Sequence, residues 1–431
     1  MTARIPGIST LVLLFLSFPA ATEAQIEYER EPINYSDSQS TDAVATLAKR
    51  LETGEAVLTW EPEHGYLKSI LQQLGVSWSS QTLVFSKTSL QVSRITPETP
   101  RAVYFNDDVY VGWVQNGEVI ELSAADPKLG GTFYTLPQKN DVPAKISRET
   151  SRCLQCHGTF HTRRTPGHMV RSVIPDNRGL PVFRLGTHLN DDTSPFAERW
   201  GGWYVTGTHG DQRHMGNSFL KNPEHDEKLD MESGANITNL SPLVDTSPYL
   251  TPHSDIVALM VLQHQATMHN ILTAANHSGQ LTMRDAEVMN KALDRPLDFV
   301  SESTERRYAS AAEKVVRGLL FCDELRLTAG IHGTSSFAEE FQQKGPFDEQ
   351  GRSLRQFDLN TRLFRYPCSF LIYSDAFREI PAGVRDRVGQ RLQEILAGND
   401  TSGEFDHLTK EDRDAIREIL LSCPERLAVS I

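Results

Sequence analysis

The chain has 431 residues, of which 39% are hydrophobic and 23% charged, with a formal net charge of −13. That balance belongs to a folded protein with a sizeable core, and the acidic excess disfavours nucleic acid or an anionic membrane as a general partner. At about 100–200 residues per domain, two or three structural units are expected.

Residues 1–24, MTARIPGISTLVLLFLSFPAATEA, carry an early positive charge at Arg4, an apolar run from Leu11 to Phe18 and small residues at Ala21 and Ala24. They read as a secretory signal peptide, so the mature protein is expected to be periplasmic or secreted. The run is short for a hydrocarbon core of about 30 Å, and no later apolar run approaches the length of a span, so no transmembrane segment is expected beyond the signal.

Residues 25–60 are read as a polar tether, EYEREPINYSDSQSTD, followed by a short helix at 42–52. From 61 to 150 the pattern is β-rich: TLVFS, RAVYF, then DVYVGWVQNGEVIEL, where Asn116-Gly117 between alternating apolar residues predicts a type I′ hairpin turn. The stretch from 151 to 250 is dense in Gly, Pro, His and Arg, with short strand-like pieces at PVFRLG and GGWYVTG, and predicts long ordered loops. Helical periodicity then takes over. Ser254 is the expected N-cap of DIVALMVLQHQATMHNILTAANH, and TERRYASAAEKVVRGLLFCDEL follows. Gly398 is expected as the residue just past the helix VRDRVGQRLQEILAG, and Thr409-x-x-Asp412 as a capping box. The organisation is α+β, with a β-rich N-terminal region, a loop-rich segment within 151–300 and a helical C-terminal region over 301–431.

One cluster carries chemistry. Cys153-Leu154-Gln155-Cys156-His157 holds two of the five cysteines. A redox dithiol would sit between strand and helix of a βαβ unit, whereas hairpins precede this segment and a Gly/Pro loop follows. Zinc would need a second Cys/His pair, for which His161 and His168 are the available residues. Covalent haem attachment uses all three residues at once.

In that motif, and in the export signal, the chain resembles c-type cytochromes. FNDDVYVGWV, ERWGGWYVTG and RLFRYPCSFLIYS also look like segments of uncharacterised exported bacterial proteins carrying a cytochrome-c-like domain. The resemblance implies one covalent haem c, with Cys153 and Cys156 as thioether attachment points and His157 as the proximal iron ligand. It also implies a downstream proline carbonyl, here Pro166, as acceptor for the second ring N–H of His157.

Between 151 and 213 lie eight arginines, no lysine and five acids. Arg163, Arg164 and Arg171 are the expected partners of haem propionates, with a small anionic substrate as the alternative. For the sixth iron position the candidates are Met169, His214, Met215, His264 and Met268. Met215 is preferred, for its loop setting and for a separation from His157 similar to that in small c-type cytochromes. Val257, Val261, His264, Met268, Ile271 and Ala275 form one apolar helical stripe, and His269 falls off it.

Cys322, Cys368 and Cys423 allow at most one disulfide. No Gly-rich phosphate loop, Gly-x-Ser-x-Gly elbow or His-Glu-x-x-His helix is present. The expected function is electron transfer with a redox partner protein. A haem enzyme, peroxidase-like or acting on a small anion at an open distal site, is the alternative, and a haem-based sensor or structural binding module the third reading.

Overall fold

The computed structural model describes residues 26–140, 143–225 and 228–429, so the segment read as a signal peptide lies outside the described residues. Two short helices, α1 (Ala43–Glu52) and α2 (Leu67–Gln73), precede six strands: β1 (Thr82–Val84), β2 (Arg101–Phe105), β3 (Val109–Trp113), β4 (Val119–Asp126), β5 (Gly130–Pro137) and β6 (Ser147–Arg148). The loop-rich stretch adds the one-turn helix α3 (Leu154–His157), a ribbon of β7 (Arg171–Val173) and β8 (Thr187–Leu189), and β9 (Trp203–Tyr204). Helices follow: α4 (Ile256–Ala292), α5 (Glu302–Leu319), α6 (Phe337–Gln343), α7 (Asp375–Arg378), α8 (Ala382–Leu396) and α9 (Lys410–Ser422). The fold is α+β, with the sheet in the N-terminal half and the longer helices in the C-terminal half.

β9 returns from the loop-rich stretch to pair with β1, completing a seven-stranded antiparallel sheet ordered β6-β5-β4-β3-β2-β1-β9. Because side chains alternate along a strand, the sheet has two distinct faces. One face, with Tyr104, Val111, Leu122 and Leu136, packs under α1 and α2 through Val44, Leu47, Leu67 and Ile70. On the other face, Phe105, Tyr110, Ser123 and Phe133 lie opposite one another across four strands. Phe105 and Tyr110 belong to the core of α4 and the C-terminal helices, and Phe133 to a smaller cluster that reaches Cys153 and Leu154. The second face is therefore the platform of the cysteine segment.

Several local expectations hold. The short helix expected at 42–52 is α1, capped by Asp42, which accepts from Val44 N at 2.8 Å and Ala45 N at 2.9 Å. Gly398, at φ 76°, follows α8, with Gly398 N donating to Ile395 O and Asn399 N to Glu394 O, the paired bonds of a Schellman ending. Thr409 and Asp412 form the reciprocal capping box of α9.

Others are corrected. The segment at 27–42 is no tether: Tyr28, Ile33 and Tyr35 are buried against Leu129, Phe133 and Leu154, and Tyr35 Oη donates to Gly131 O at 2.8 Å. Three apolar anchors in a polar stretch suffice to dock it. The hairpin after β3 exists, but only Asn116 takes the left-handed backbone, at φ 55°. The loop is held from outside, because Gln91 accepts from Glu118 N at 2.8 Å and donates to Val119 O at 3.1 Å.

The cap of α4 falls one residue later than expected, on Asp255, which accepts from Val257 N at 2.8 Å. Ser254 instead bridges two strands, donating to Tyr204 O at 2.5 Å and accepting from Leu83 N at 2.9 Å. α4 also lacks a single apolar stripe: Gln263, Gln265, His269 and Asn270 are buried along with His264 and Met268. Lying between the sheet and the other helices, it must satisfy buried polar groups on several sides.

Candidate functional site

Cys153 stands at the N-terminus of α3, and Cys156 N and His157 N both bond to its carbonyl, at 3.2 and 2.9 Å. That single turn puts the Cys153, Cys156 and His157 side chains on adjoining positions. Cys156 is exposed, and Cys153 is partly buried against the Tyr28–Tyr35 cluster. Both are free thiols. Burial first, then Glu149 and Glu121, push the Cys153 thiol up to about 11. A dithiol reductant needs the opposite, a leading cysteine with a depressed value.

His157 is oriented by two contacts. Its ring lies on Phe133, with centroids 4.8 Å apart, and Nδ1 donates to the carbonyl of Gly167 at 2.8 Å. The proton on Nδ1 leaves the lone pair on Nε2, the tautomer a metal ligand requires. Burial lowers the His157 pKa, which keeps the ring neutral. The acceptor is one residue beyond the expected proline. Pro166 O is taken by Gly131 N at 2.8 Å, and the chain beyond it is clamped from α4, where Asn270 accepts from His168 N at 2.9 Å and donates to His168 O at 2.6 Å. Only glycine suits position 167: a Cβ there would lie 2.1 Å from Asn270 Oδ1.

Beside Phe133 runs a buried polar chain that sequence reasoning missed. His168 packs on Tyr110, with centroids 4.3 Å apart. Gln265 Nε2 donates to Tyr110 Oη at 3.0 Å, freeing the hydroxyl to donate to His269 Nδ1 at 2.9 Å. Ser123 Oγ donates to Thr132 O at 2.8 Å and so accepts from His168 Nε2 at 2.6 Å. His168 is left with a bare acceptor at Nδ1 and His269 with a bare N–H at Nε2, both buried and without partners among the described residues. Their ring centroids are 6.0 Å apart. Burial pushes His168 well below its ordinary pKa and His269 down to about 4, so both are neutral near pH 7.

The expected propionate partners face different neighbours. Arg163 and Arg164 are exposed in consecutive left-handed conformations, at φ 59° and 62°, and Arg163 lines a cleft between α4 and α5. Arg171 donates to Thr187 Oγ1 at 2.9 Å and lies over Phe183. Phe160, beside His161, and Phe183, under Arg171, are 73% and 61% exposed.

Among the distal candidates, Met215 is buried beside β7, its sulfur accepting weakly from Ser172 Oγ at 3.8 Å. His214 accepts from Gly216 N through Nδ1 at 3.0 Å, which puts its proton on Nε2. Met169 is half-buried, and Met268 is buried with its sulfur against Gly318. His264 has no ring nitrogen free, since Nδ1 meets Asp192 at 2.6 Å and Nε2 meets Ser369 Oγ at 2.8 Å. This Asp-His-Ser chain has the order of a nucleophile relay. Ser369 is 0% exposed and His264 is stacked on Phe321, so the chain ties the 190–200 loop to the helices and presents no nucleophile.

The set Cys153, Cys156, His161 and His168 is not assembled as a zinc site: among the described residues no group of three or more His, Cys, Asp or Glu side chains is placed to hold a metal. No disulfide joins the described cysteines; Cys322, Cys368 and Cys423 are buried thiols. Among the described residues no helix is long and apolar enough to cross a membrane. No protein-family model, curated protein or solved structure matches the chain.

Proposed function

We propose that this chain is an exported monohaem c-type protein that transfers electrons to or from a redox partner. The observation that carries the reading is the pairing of the Cys153-x-x-Cys156-His157 turn with the Nδ1 bond from His157 to Gly167 O. Two free sulfurs and a neutral imidazole with its lone pair on Nε2 leave a single turn, as covalent haem attachment demands.

Cys153 and Cys156 would hold the haem, and His157 would be its proximal ligand. Once bound, the haem supplies a one-electron couple. The chain does the rest: Phe133 fixes the imidazole plane, Gly167 O raises the basicity of Nε2, and the Tyr28–Tyr35 segment covers one side of Cys153. Phe160, Phe183 and the arginines near them give a partner an apolar and cationic approach.

A second reading, a haem enzyme, is favoured by one observation. His168 and His269, a bare acceptor and a bare donor in a buried chain, form an acid–base pair without another evident task. Visible spectra of the matured protein distinguish the two. Transfer predicts six-coordinate, low-spin iron in both oxidation states; high-spin ferric iron that binds added small ligands would move the assignment to the enzyme.

With Met215 as distal ligand, the ferric protein shows the weak long-wavelength sulfur-to-iron band. Met215→Ala should abolish that band and lower the reduction potential while the covalent haem stays in place. An unchanged spectrum in Met215→Ala would remove Met215 from the iron.

A further inference from the structure

We propose that the cleft between α4 and α5 is a binding site for a small aliphatic carboxylate, a ligand distinct from the haem. The recess has a volume of about 310 Å³, at the lower end of small-molecule sites. Its rim carries Arg163 from the loop after α3 and Arg306, Arg307 and Lys314 from α5. Its floor is apolar, formed by Ile271, Ala274 and Ala275 of α4 and Ala311 of α5. Ser278, Ser303 and Ser310 add hydroxyl groups.

The charges are not all neutralised. Arg306 pairs with Glu302 at 2.9 Å and Arg307 with Asp285 at 3.0 Å. Among the described residues, neither Arg163 nor Lys314 has a salt-bridge partner. In a chain of net charge −13, two cations without a direct ion pair, Arg163 acted on by Asp191 only at longer range, concentrate positive potential at one recess. Arg163 is held at this rim in a left-handed backbone that non-glycine residues seldom adopt, at φ 59°.

Helices facing each other through alanine and serine leave room where larger side chains would interlock. An ion such as sulfate would use the rim and waste the floor. A carboxylate with a short aliphatic body uses both, its head on Arg163 and Lys314 and its methylenes over Ala274, Ala275 and Ile271. A dicarboxylate can reach the α5 arginines as well.

The test is calorimetric titration of the matured, full-length protein with glutarate, neutral glutaramide and sulfate. Glutarate is expected to bind saturably, more tightly than sulfate, and glutaramide not at all. Arg163→Ala and Lys314→Ala, both exposed positions, should each weaken glutarate about tenfold, the value of one charge-assisted hydrogen bond. Lys410→Ala on α9 should leave binding unchanged. The proposal is overturned if glutarate shows no saturable binding, if both rim variants bind like the parent, or if sulfate binds as tightly as glutarate, which would mark an adventitious ion only. None of these readouts depends on the state of the iron, so the electron-transfer reading stands or falls separately.

Discussion

Serine in place of Cys156 is expected to remove one of the two thioether links and most of the holoprotein, while leaving the polypeptide fold almost untouched. Cys156 is exposed, so the exchange itself, apart from the loss of haem, should change unfolding free energy by no more than about 0.5 kcal/mol. The effect belongs to attachment: a single thioether through Cys153 leaves the haem one anchor instead of two. Haem-stained denaturing gels, set against circular dichroism of the same preparation, measure both sides. A variant with full haem content after denaturation would show that Cys156 is not an attachment point.

Alanine in place of Asp107 is expected to cost about 3 kcal/mol, less than a fully buried pair because Asp107 is about one-third exposed. Asp107 sits in the tight turn between β2 and β3 and meets Arg355, whose Nη1 donates to Oδ1 at 3.2 Å. Arg355 is buried, with Nε on Gly345 O and the guanidinium over Phe370 and Phe341. Without Asp107 the guanidinium stays buried and loses its counter-charge, which is where the loss arises.

The pH dependence has the same origin. Burial alone would raise the Asp107 pKa, but Arg355 and Lys344 together hold it below the ordinary carboxylate value. A depressed folded-state value means the stabilisation is complete above the ordinary range near pH 4 and is lost as pH falls through the depressed value. Denaturant unfolding should show that acid loss in the parent protein and its absence in Asp107→Asn.

What the sequence made legible is what local chemistry dictates. The Cys153–His157 cluster could be read because its residues are nearly consecutive, and Gly398 and the Thr409–Asp412 box because caps bond within one turn. The α+β order was visible in the switch of hydrophobic period.

The surroundings of His157 were not legible, because they come from distant segments. Phe133 arrives from β5, Asn270 and His269 from α4, and Tyr110 from β3. No local pattern links them. Pro166 was a near miss: the carbonyl that serves belongs to Gly167, since Gly131 already occupies the proline's. The supposed tether failed on composition, where twelve polar or charged neighbours outweighed the three anchors that dock it. His264 looked available on a helical wheel, and only the fold shows Asp192 and Ser369 closing on its two nitrogens.

The central claim is that one haem is bound covalently by the segment from Cys153 to His157. The most direct test is peptide mass mapping of protein matured with an intact cytochrome assembly system, digested after denaturation and organic extraction. The account predicts that the peptide containing Cys153, Cys156 and His157 retains the mass of one haem. Recovery of that peptide without haem, with its cysteines as free thiols, as a disulfide or as stoichiometric zinc ligands in the parent protein, would contradict it.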